Sequence, residues 1–173
     1  MARRFVRNRR GSAAVEFALV APMFFLLLFA IIETALVFFA GQVLEIGAQD
    51  SARLIFTNQS QGTLDAAAFR TNLCNRILVL MNCDGLYVDV KRFPAFSTIG
   101  AADLADPIVG GQFVNNFTYP ETFPGDTVVV RAFYRWPLFV TQLGYDMSNI
   151  DRGSSEKNQK LLTATIAFRI EPK

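Results

Sequence analysis

The chain has 173 residues, 51% of them hydrophobic, with a mean hydropathy of +0.27 and a formal charge of +2. It has no histidine and only two cysteines, which removes the commonest general base at neutral pH and any cysteine–histidine metal quartet. The basic residues are clustered: Arg3, Arg4, Arg7, Arg9 and Arg10 all precede Gly11, and removing those five from the 17 leaves 12 basic against 15 acidic residues, a net of −3, so the body has no basic patch suited to nucleic acid.

From Phe17 to Ala40 the only charge is Glu33. As a helix this stretch reaches about 36 Å, enough to cross a hydrocarbon core of about 30 Å. Because positive charge stays on the cytoplasmic side, the five arginines place Met1–Arg10 inside and everything beyond about residue 42 outside the inner membrane. The apolar run is long for a secretory signal, and Phe38-Phe39-Ala40 lacks the small first residue of a signal-peptidase site, so cleavage on the far side is disfavoured.

Two acids lie in apolar company. Glu16 stands at the start of the hydrophobic run, where the positive end of the helix favours it. Glu33 has two readings. If the core is Ala13–Ile32, this acid lies at the outer boundary and is solvated. If the core is Phe17–Ala40, it is a submerged intramembrane acid that needs a partner. The boundary reading is favoured. Pro22 lacks an N–H and leaves the Ala18 carbonyl without its helix partner, so local bending is expected there.

The helical pattern continues beyond the span. Gln42, Glu45, Gln49 and Arg53 share one face, with Val43, Leu44, Gly47, Ala48, Ser51 and Ile55 opposite. The second face is rich in small residues and admits a close neighbour, either the chain's own globular part or another subunit. Residues 58–62 read as a break. Thr63 then caps a second helix, with Asp65 in its first turn and Phe69, Leu73, Ile77 and Leu80 as its buried stripe.

Three later runs alternate with period two and read as strands: Leu86–Val90, Val128–Trp136 and Leu162–Ile170. One apolar and one mostly polar face imply an antiparallel sheet, wet on one side and covered by helices on the other. Arg131, Arg135 and Arg169 then read as solvated residues on the open face. The long connection Phe93–Asp126 has room for a short strand near Phe113–Phe117, and Asp146–Lys160 reads as a polar loop.

An exported, oxidising location implies a Cys74–Cys83 disulfide. A helix unbroken from Cys74 to Asn82 would hold the two Cα atoms about 13 Å apart, and a disulfide needs less than about 7 Å. The second helix must therefore end near Leu78–Leu80. Other signals are weak. Asp103 with Asp106 and Asp84 with Asp89 lack EF-hand spacing, Ser154 and Ser155 have no histidine to activate them, and Asn116-Phe117-Thr118 is a sequon short enough to arise by chance. No cofactor is implied, and an enzyme is disfavoured.

Arg9-Arg10-Gly11, with Glu16-Phe17 five and six positions after the glycine, resembles the prepilin-peptidase site of Flp/Tad-class type IV pilins and pseudopilins. Cys74 and Cys83, LYVDV at Leu86–Val90, VVVRAFYRWPLF at Val128–Phe139 and LLTATIAFRIEP at Leu161–Pro172 are similar to the TadE-type minor pseudopilins. Ile170 departs from the asparagine expected before the Glu-Pro pair. The resemblance implies a scissile Gly11–Ser12 bond, with Glu16 and Phe17 serving processing and assembly. It implies as partners a prepilin peptidase, other Tad pilins and pseudopilins, the inner-membrane assembly platform and membrane lipid. The expected organisation is a basic leader (1–11), a transmembrane and extended amphipathic helix (12–57) and a periplasmic α+β domain (63–173), with entry into an extracellular pilus as a further step. The alternative is an uncleaved single-span assembly factor with a periplasmic docking domain.

Overall fold

The computed structural model describes residues 12–56, 66–100, 103–123, 125–140, 145–151 and 158–170. Its element order is helix α1 (Ser12–Phe56), helix α2 (Ala66–Ile77), β1 (Leu86–Phe93), a 3-10 turn (Phe96–Thr98), β2 (Ile108–Val109), β3 (Gln112–Phe113), β4 (Thr127–Pro137) and β5 (Gln159–Arg169). A long N-terminal apolar helix, a short second helix and a small antiparallel sheet make the chain α+β. The leader with Gly11, the Thr63–Asp65 cap and Ser154–Ser155 lie outside the described residues.

The three main strands run antiparallel in the order β1-β4-β5, with Val90 opposite Val130 and Val130 opposite Ile166. Val128, Val130, Ala132, Tyr134 and Trp136 of β4 face the helices and join Leu86, Val90, Leu162 and Ala164 in the main core. From α1 that core receives Val37, Ala40, Leu44 and Ala48. These positions recur every three to four residues, as one helix face must. From α2 come Phe69, Leu73 and Ile77, all fully buried.

α1 continues through Pro22 without interruption. α2 runs antiparallel to its outer half: Arg76 pairs with Asp50, and Asn72 lies beside Ser51. At Gly47 the helices approach closely: an added Cβ would stand 3.0 Å from Ile77 Cγ2 and 3.3 Å from Leu73 Cδ1. The small-residue face of α1 therefore packs on the chain's own globular part. α2 stops at Ile77, whose carbonyl accepts from the backbone N–H of both Leu80 and Met81. The turn brings Cys74 and Cys83 into a disulfide with Cα atoms 5.5 Å apart. Arg70 secures the returning chain by donating to the carbonyls of Cys83 and Leu86.

The second face of the sheet departs from expectation. It is exposed along β5 at Thr163, Thr165, Ala167 and Arg169, but it is covered over β4. Phe133, Ile150 and Leu161 form a second buried cluster there, with Tyr87, Ile108, Phe113 and Phe117 packed on it. The cover comes from the long connection after β1, which forms the β2–β3 hairpin, and Phe117 stacks on Phe133 at 4.9 Å between ring centres. Arg131 is not a solvated strand residue but a buried one. Its Nε and Nη2 donate to Asp89 Oδ2 at 3.1 and 2.5 Å, and Nη1 donates to the Ala105 carbonyl at 2.9 Å. Arg135 is likewise engaged, by Asp151 at 3.0 Å and Gln159 at 2.8 Å, and Arg169 donates to the Gly125 carbonyl. Arg131 and Arg135 are paired because they lie on the central strand β4, which is covered on both faces, whereas Arg169 on the edge strand β5 stays exposed as expected.

Candidate functional site at the helix–domain junction

Along α1, Val15, Phe17, Leu19, Val20 and Met23 through Phe29 are exposed, as are Ile31 and Ile32. From Ala13 to Ile32 this surface runs 20 residues, or about 30 Å of helix, which matches a hydrocarbon core. Among the described residues, α1 is the one helix long and apolar enough to cross a membrane.

Ser12 is the first residue of α1, with Glu16 and Phe17 exposed one turn further on. Cys74 and Cys83 lie far along the chain from this end and hold the turn after α2. The predicted residues are thus spread along the stem and do not converge on a reaction centre. Among the described residues no group of three or more metal-ligating side chains comes together. Asp89, considered above with Asp84 as an acid pair, is committed to Arg131 and to the Thr118 backbone N–H.

Glu33 is where the stem becomes part of the folded domain. It is 5% exposed, buried between α1 and the domain. Its carboxylate accepts from the backbone N–H of Phe139 and of Val140, the latter at 3.1 Å, in the segment that follows β4. Both readings of Glu33 above lacked this partner, which lies more than a hundred residues away in sequence. The helical spacing does contain a signal: Glu33 heads the stripe Val37, Ala40, Leu44 and Ala48, the face the domain covers. One position on, the Thr34 hydroxyl lies 3.1 Å from the Tyr145 hydroxyl and 3.6 Å from Met147 Sδ, and donates to the Ala30 carbonyl. The junction is a polar clasp set at the end of a greasy stem.

Residues 11–53 match the TadE-like protein family. The TadE-like segment begins at the glycine before α1 and covers both the exposed apolar stretch and most of the helix packed on the domain. No curated protein and no solved structure matches the chain.

Proposed function

We propose that the protein is a TadE-like minor pseudopilin of the Tad pilus, cut after Gly11 by a prepilin peptidase and anchored through α1 with its globular domain on the periplasmic side. The observation that carries this reading is the TadE-like match at residues 11–53, which begins at the proposed scissile glycine and runs along the membrane-length helix. The match supports a part in Tad pilus assembly, a structural role rather than an enzymatic one.

Cleavage removes the five arginines that hold the N-terminus at the cytoplasmic face and leaves a new amine on Ser12. In a bundle of such helices that amine pairs with Glu16 of a neighbouring subunit, where low dielectric strengthens the attraction but demands close geometry. Ile32, Leu36 and Ile46 are further exposed apolar residues on α1, a surface for lateral helix packing.

The test is the intact mass of the protein extracted from membranes of cells that express the peptidase. The expected mature chain begins at Ser12, and Gly11→Ala retains the leader and abolishes pilus assembly. A functional protein that keeps Met1 supports instead the uncleaved single-span assembly factor.

A further inference from the structure

The strand directions place several chain segments at one end of the domain. β4 runs toward Glu33, because the residues directly after it, Phe139 and Val140, bind that carboxylate. β1 is antiparallel to β4, so the loop that precedes it, residues 78–85, lies at the same end. An open groove of about 570 Å³ joins the two, lined by Leu78, Val79, Trp136, Pro137 and Phe139 among others.

This end carries an exposed apolar patch among its polar groups. Val79 is 90% exposed, Phe139 75% and Leu78 56%. The patch adjoins the exposed apolar surface of α1, which does not stop at Ile32: Phe38 and Phe39 remain 69% and 56% exposed more than a turn beyond Glu33. On the same junction, Tyr145 reaches over α1 and closes an apolar groove with Leu27, Ile31, Thr34 and Phe38. Aromatic side chains with a polar tip are the residues that populate a membrane–water interface.

We propose that the base of the globular domain is a membrane seat, in which Leu78, Val79 and Phe139 enter the headgroup–acyl boundary of the bilayer that α1 crosses. The occupant is lipid, because the patch is continuous with the span and an anchored domain whose base adjoins the span is held against the bilayer. The exposed carboxylates Asp84 and Asp146 belong to the same end. The contact is therefore apolar rather than electrostatic and does not require anionic lipid. Glu33 sets its height: the clasp fixes Phe139 where the span ends.

The proposal rests on α1 spanning the bilayer, and the test separates the two claims. Trp136 is the sole tryptophan and lines the seat. The full chain is reconstituted at high lipid excess into phosphatidylcholine vesicles with acyl chains brominated at shallow or deep positions. Trp136 emission is expected to fall with shallow bromines and to be spared by deep ones. Val79→Ser with Phe139→Ser is expected to abolish that quenching. In a Trp136→Phe chain, Phe139→Trp reports the seat directly and Phe24→Trp reports the span. Deep quenching at position 24 with no quenching at position 139 leaves the span intact and overturns the seat. No quenching at either position overturns the span and the seat together. Shielding of position 139 that arises only as protein is crowded in the vesicles assigns the patch to a second copy and overturns the seat.

Discussion

Two buried carboxylates carry most of the information at the scale of single residues. Glu33 is held by two backbone N–H groups, and its loss leaves that of Val140 buried and that of Phe139 half-buried without an acceptor. Glu33→Ala is expected to cost about 1–3 kcal/mol and to accelerate hydrogen exchange at the amides of Phe139 and Val140, with Glu33→Gln intermediate because its carbonyl still accepts. Asp89 is fully buried against Arg131. Asp89→Ala strands the guanidinium inside the protein, and denaturant unfolding should show a loss of about 3–5 kcal/mol. Replacing both partners with apolar residues of similar volume should recover most of it, since no charge is then left unpaired.

Elements meet where the sequence is small or crosslinked. Gly47 lets α2 approach α1 closely, and Gly47→Leu is expected to destabilise the pair by about 1–3 kcal/mol, read as a lower unfolding midpoint. The disulfide closes a short loop between the end of α2 and the start of β1. Cys74→Ala with Cys83→Ala should lower stability by roughly 2.5–3 kcal/mol on the chain-entropy account, and a reductant should reproduce the loss in the unsubstituted chain. The elements themselves were largely legible. Period-two runs located all three main strands, and the Phe69, Leu73, Ile77, Leu80 stripe located α2, except that Leu80 falls in the turn beyond Ile77 and is half-buried because the helix stops earlier. The disulfide distance set where α2 ends. The β2–β3 hairpin was less so, because strands of two residues have no periodicity to read.

At the scale of the whole molecule the protein is a stem with a domain folded onto its outer half. The stem's inner half presents an apolar surface interrupted by Glu16, and its outer half buries one face against the domain. If Gly11–Ser12 is cut, the formal charge moves from +2 to −3, and isoelectric focusing should show the mature protein well below the precursor's pI of about 8.7. An unchanged focusing position would mean that the arginines remain.

The sequence by itself determined the membrane-length helix, the arginine-flanked glycine with its glutamate and aromatic, the strands and the cysteine pair. Each of these is a local pattern: composition, spacing or period along one stretch of chain. Only the tertiary structure decided the fate of the charges. Glu33 reads as an acid between water and lipid until the residues after β4 supply two N–H groups, and Arg131 reads as a solvated strand residue until Asp89 stands opposite it in register. The physical reason is that a buried charge is defined by its partner, and both partners arrive from distant sequence through strand pairing and helix docking, which no local period records.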